Sequence, residues 1–201
     1  MKRQMRWFAM VCRVLLLTIG LAVEARAGTI TGKVTASGAK NARDAVVYID
    51  RIEGKTFEPP MEPARIDQIN KAFVPRILPI LKGQGVTFLN SDALLHSVHC
   101  YRGRKSLFNQ AMPAGTKPMT KAFKEPGEIA VLCNVHPEMV AYIIVLETPY
   151  AAVTAADGHY EIANVPPGSY TLKSWHEKLT PVSKTVTLQD EQTVTVDLEL
   201  K

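Results

Sequence analysis

A thiol, an imidazole and a thioether stand three residues apart in Cys133-Asn134-Val135-His136-Pro137-Glu138-Met139. Successive side chains on a strand alternate between its faces, so donors at this spacing reach one point only if the segment curls into a tight loop. One metal ion is what such a loop would enclose. Thiolate and thioether donors are soft and select copper, and two His nitrogens, a Cys thiolate and a weak axial Met make up the electron-transfer arrangement. The loop supplies one imidazole, so the second must come from elsewhere. His96 fits, because it follows a strand-like run, Gly85-Val86-Thr87-Phe88-Leu89-Asn90, and a short turn, Ser91-Asp92-Ala93.

Several alternatives stay open at this stage. Zinc is the other metal, although a Met ligand suits it poorly and cysteines are few. A dinuclear copper site would want a second loop cysteine, and position 132 is Leu. Multicopper chemistry would want paired His-x-His motifs, whereas His96-Ser97-Val98-His99 has the wrong spacing. Strand alternation turns His99 away from His96. Cys100 and Cys133 form a disulfide by default in an oxidising compartment, which would consume the ligand. Cys100 lies four residues after His96, on the same face, and reads instead as a buried apolar thiol.

The elements that must position these groups are strands. Short apolar and β-branched runs with Gly and Pro punctuation recur through the chain, an all-β pattern. Gly28 to Val34 and Asp44 to Asp50 read as two strands joined by the turn-rich 36–41. Residues 51–70 lose apolar periodicity and carry Pro59, Pro60 and Pro63, which predicts loop or an irregular edge, with at most one helical turn over Arg65 to Lys71. Beyond Leu146 the hairpin dipeptide Asp157-Gly158 and the corner Pro166-Pro167-Gly168 mark a meander. In the last stretch Val194, Val196, Leu198 and Leu200 alternate with Thr193, Thr195, Asp197 and Glu199, so one face is buried and the other wet.

The chain has 201 residues and a formal charge of +5, enough for one or two domains. A basic Met1 to Arg6, an apolar Val14 to Ala22 and the small-x-small Ala25-Arg26-Ala27 read as a signal peptide over 1–27, cleaved after Ala27 for export to the periplasm. Arg13 interrupts the apolar run, so a spanning helix of about 20 apolar residues is not available. Cleavage removes Lys2, Arg3, Arg6, Arg13 and Arg26 together with Glu24, taking +5 to +1. A nearly neutral mature protein has no compositional case for nucleic acid, and no stable membrane insertion is expected after cleavage.

The segment from Phe73 to Leu146 resembles plastocyanin- and amicyanin-type cupredoxins, through FVPRILPILKGQGVTFLN, LHSVH, the strand EIAVLCNVHPEM opened by Gly127, and the closing AYIIVLE. The resemblance implies a Greek-key β-sandwich with one copper per chain held by His96, Cys133, His136 and Met139. It implies that Asn90 ties the two ligand loops together by hydrogen bonds. It also implies a non-enzymatic electron carrier whose partners are redox proteins such as a c-type cytochrome or a periplasmic dehydrogenase. Leu94, Leu95, Met112 and Pro113 are expected as an apolar docking rim.

The tail pattern T-x-x-DG-x-Y-x-I-x-x-V-P-P-G-x-Y-x-L resembles the carboxypeptidase regulatory-like (transthyretin-like) β-sandwich. Such modules begin with two strands that the tail lacks and that 28–50 could supply. The expected organisation is therefore a smaller sandwich of 28–52 plus 147–201 split by a cupredoxin at 53–146, and it requires contacts between 28–50 and 185–201. His159 and His176 read as solvated loop residues, and Arg102, Arg104 and Lys105 as a basic run near the site.

Overall fold

The computed structural model describes residues 26–37 and 42–201. Most of the predicted signal peptide, with Cys12, and most of the 36–41 turn lie outside the described residues. Among the described residues no helix is long and apolar enough to cross a membrane.

Seventeen strands follow one another: β1 (Gly28–Ala36), β2 (Val46–Ile49), β3 (Ala64–Ile69), β4 (Ala72–Val74), β5 (Ile77–Leu81), β6 (Gly85–Phe88), β7 (His96–Arg102), β8 (Lys105–Met112) and β9 (Met119–Ala122), then β10 (Gly127–Leu132), β11 (Val140–Leu146), β12 (Ala151–Val153), β13 (His159–Val165), β14 (Gly168–Trp175), β15 (Ser183–Leu188), β16 (Thr193–Thr195) and β17 (Leu198–Leu200). They form four sheets. The order β5-β11-β10-β7-β8 makes one face of the first sandwich and β4-β3-β6-β9 the other. Their inward residues, among them Ile66, Phe88, Val98, Ile129, Val131 and Ile143, share one buried core.

In the second sandwich β1 lies between β13 and the pair β16 and β17, antiparallel to the first and parallel to the others. Opposite it runs the order β12-β2-β14-β15. Both sheets feed one core that includes Ile30, Ile49, Tyr160, Leu172 and Leu198. The contacts required between 28–50 and 185–201 are present: Thr29 to Thr31 align with Thr193 to Thr195, and Val34 to Ala36 with Leu198 to Leu200. The expected alternation of the last stretch holds, with Val194, Val196, Leu198 and Leu200 against the core and Thr193, Thr195, Asp197 and Glu199 exposed, although the ladder pauses between β16 and β17, where the Asp197 carboxylate accepts from the Lys33 amide at 2.8 Å.

The region 51–70 departs from expectation. Residues 64–69 form strand β3, not a helical turn, paired with β4 and β6. Its inward positions are Ile66 and Gln68, and the polar Gln68 hides the alternation in the sequence. Gln68 is fully buried; its amide NH2 donates to the Leu89 carbonyl at 2.8 Å and to the Met112 sulfur at 3.3 Å, and its Oε1 is buried without a partner among the described residues.

The sandwiches meet through Val46, Ile77, Ile144 and Leu146, with Tyr48, Tyr142, Ala151 and Trp175 packed around them. Trp175 lies 5.2 Å from the Tyr142 ring and donates to Glu128 at 2.8 Å. Arg76, between β4 and β5, pairs with Asp44 and Glu177 of the other module. Burial pushes the Glu177 carboxyl up, but Arg76, Lys178 and the Tyr142 hydroxyl outweigh it and hold the group below its ordinary value.

Two outcomes follow from these contacts. A Cβ on Gly32 would sit 2.1 Å from the Val196 backbone oxygen, so Gly32→Ala is expected to lower stability by about 1–3 kcal/mol in urea denaturation. A depressed carboxyl stabilises the fold above its unfolded pKa and loses that contribution as pH falls through the folded one. Glu177→Gln is therefore expected to cost most stability at neutral pH, with the gap to the parent protein closing in acid.

Candidate metal centre

His96 opens β7 and is fully buried, while Cys133 follows the last residue of β10 and is 5% exposed. The two strands are antiparallel neighbours, with Ala130 opposite Tyr101, Val131 opposite Cys100 and Leu132 opposite His99. Ladder pairing stops at Leu132. The chain then turns back on itself, the Met139 amide donating to the His136 carbonyl at 3.0 Å and the Cys133 amide to the Met139 carbonyl at 3.3 Å. This closed loop carries Cys133 and the buried Met139 inward and leaves His136 half-buried.

The geometry brings His96, Cys133 and His136 together, with one donor atom from each lying within 4.8 Å of the others. The Nδ1 atoms of His96 and His136 are 3.0 Å apart. Met139 joins the same buried cluster as Cys133. No other His, Cys, Asp and Glu group of this kind exists among the described residues. His159 contacts Thr31 and His176 accepts from the Lys178 amide.

Ser97 holds the start of β7 and the Cys133 loop together. Its amide points at the Cys133 sulfur at 3.4 Å, its hydroxyl lies 3.9 Å from that sulfur, and the same hydroxyl accepts from the Asn134 amide at 2.7 Å. The expected tie through Asn90 takes a different course. Both donors of Asn90 are engaged, by Leu94 O at 2.9 Å and Met112 O at 2.7 Å, and its oxygen accepts from the Asp92 amide. The Asn90 side chain therefore shapes its own loop and fastens it to β8, with both its Nδ2 hydrogens spent away from the Cys133 loop. The signal for Ser97 was its place beside His96, yet alternation puts it on the outer face, and only the folded-over Cys133 loop buries it.

Asp92 was also missed, although it stands four residues before His96. Its carboxylate lies 2.8 Å from His96 Nε2. The Lys71 amide first, then the His96 ring and the Asn70 amide, hold this carboxyl below its ordinary value against the opposing effect of partial burial.

Cys100 and Cys133 are both free and buried, so no disulfide joins them. Burial pushes the Cys100 thiol up to about 12, which keeps it a protonated apolar group. His99 faces away, bonded to Asn134 and Ser106 at 3.0 Å each. Of the expected rim, Leu94 and Leu95 are exposed and Val135 joins them, but Met112 is fully buried against Gln68. Arg102 of the basic run donates to the carbonyls of Glu125 and Pro126, a loop-closing role.

The carboxypeptidase regulatory-like domain family matches residues 140–201. A purple cupredoxin from Nitrosopumilus maritimus is 26% identical over 41% of this chain and 98% of its own, with a TM-score of 0.37. A reduced tryptophan-to-tyrosine mutant of amicyanin is 24% identical over 44% of this chain and 86% of its own, TM-score 0.39. A copper-containing nitrite reductase from Thermus scotoductus is 24% identical over 50% of this chain but only 25% of its own, TM-score 0.40. With TM-scores below 0.5, none of these likenesses bears on the reading of the site. No curated protein matches.

Ser97→Ala strands the Asn134 amide and is expected to lower stability by about 1–3 kcal/mol, read by thermal denaturation of the metal-free protein. A loss no larger than that of an exposed serine would show that Ser97 does not join the segments.

Proposed function

We propose that the chain is an exported type 1 copper protein that carries single electrons between redox partners and makes no bonds itself. One copper ion would be held by His96, Cys133, His136 and Met139. The observation that carries this reading is the convergence of two imidazole nitrogens and a cysteine sulfur within 4.8 Å. The two imidazole Nδ1 atoms lie 3.0 Å apart with the Cys133 sulfur beside them, close enough for a single ion to be held by all three. A donor set with sulfur and no oxygen suits neither magnesium nor calcium, and thiolate with thioether selects copper.

When bound, copper supplies one-electron chemistry. The protein's part is to hold the donors in one arrangement through both oxidation states. Ser97 clasps β7 to the Cys133 loop, and amide and hydroxyl donors aimed at sulfur stabilise the thiolate. His136 is the least buried of the three clustered donors, which makes it the exit for the electron. Exposed Leu94, Leu95 and Val135 would meet a redox partner such as a c-type cytochrome or periplasmic dehydrogenase. The smaller sandwich, locked on through Arg76 and Trp175, would act as support.

Protein loaded with Cu(II) is expected to turn intensely blue from sulfur-to-copper charge transfer and to bleach reversibly with ascorbate. Cys133→Ser should lose the colour while keeping its melting temperature within a few degrees. A colourless copper complex of the parent protein contradicts the reading.

A further inference from the structure

Asp92 is not one of the converging donors, yet its carboxylate is met by three nitrogens, those of the Asn70 and Lys71 amides and the His96 ring. The β3–β4 hairpin turns at Asn70 and Lys71, both in the left-handed region with φ of 52° and 55°, the conformation of a two-residue type I′ turn. That turn aims two successive amides at one carboxylate: Asn70 N reaches Asp92 Oδ1 at 2.7 Å and Lys71 N reaches Oδ2 at 2.9 Å. Ser91 fastens the same loop to β3, its hydroxyl donating to Asp67 at 2.6 Å and its amide to the Gln68 carbonyl at 3.1 Å. The carboxylate so fixed meets His96 Nε2 at 2.8 Å.

An ionised carboxylate only accepts hydrogen bonds, so the proton of a neutral His96 ring resides on Nε2. The lone pair is then on Nδ1, the atom that faces His136 and Cys133. Among the described residues no hydrogen bond reaches Nε2 of His136, so the two imidazoles differ in their support.

We infer that Asp92 is a positioning residue that locks His96 in the tautomer competent to bind a metal and places negative charge behind that ligand. Carboxylates behind ligating histidines orient the ring and raise its basicity. A charge there stabilises Cu(II) more than Cu(I). This second half rests on the copper reading of the site, and the tautomer does not.

The test compares the parent full chain with Asp92→Asn, which keeps the side-chain shape, and Asp92→Ala. Nitrogen-15 NMR of the metal-free proteins reads the His96 tautomer, and titrations with Cu(II) and with Cu(I) read affinity. The parent is expected to show the Nε2–H form, with Nδ1–H appearing in both variants. Cu(II) affinity should fall 10- to 100-fold and Cu(I) affinity less. Each tenfold excess loss for Cu(II) raises the reduction potential by about 59 mV. The inference is overturned if the parent carries its His96 proton on Nδ1, if Asp92→Asn leaves the tautomer unchanged, or if both oxidation states weaken equally, as a merely structural role would have it. A parent protein that shows the tautomer effect but binds no copper would instead end the copper reading and leave the positioning role standing.

Discussion

The register between β7 and β10 is the constraint on which the site depends. With Leu132 opposite His99 and Val131 opposite Cys100, His96 and Cys133 come to the same end of the sheet, one opening its strand and the other leaving it. A slip of one residue would reverse the inward face of a whole strand and send either the imidazole or the thiol to solvent. The register is held by the core itself, because Val98, Cys100, Ile129 and Val131 are all fully buried. Hydrophobic burial of these side chains thus sets the distance between the His96 imidazole and the Cys133 thiol at the end of the same core.

Around this pair the protein builds support in layers. Ser97 joins β7 to the Cys133 loop directly. The β3–β4 hairpin reaches across from the opposite sheet to fix the loop before His96. Beyond that, β1 and β2 sit inside the sheets of the smaller sandwich, so the chain must return after the first sandwich is complete to finish a module it began earlier. Long-range closure of this kind is costly in loop entropy. The apolar seam of Val46, Ile77, Ile144 and Leu146 offsets part of that cost and couples the two cores.

Much of this was legible in the sequence where a repeating pattern or a ligand spacing carried it. The closing of 133–139 into a loop and the approach of His96 to it could be read because soft donors at that spacing have few other uses. The return of 28–50 to the tail could be read because a family-like pattern lacked its first two strands. Strand β3 could not be read, since its inward Gln68 places its amide NH2 on a carbonyl and a sulfur that only the fold brings near. Asn90 was assigned a bridging role by resemblance, while the bridge itself runs through Ser97, whose burial depends on a loop forty residues away in sequence. Asp92 lay in plain view, but nothing short of the hairpin at Asn70 and Lys71 distinguishes it from a turn residue that caps its own loop.

The central claim is that one copper ion sits among these donors. X-ray absorption fine structure at the copper edge of the loaded protein measures this most directly. One short sulfur neighbour and two nitrogen neighbours are predicted, with the sulfur lost in Cys133→Ser. A first shell made only of oxygen and nitrogen would contradict the claim.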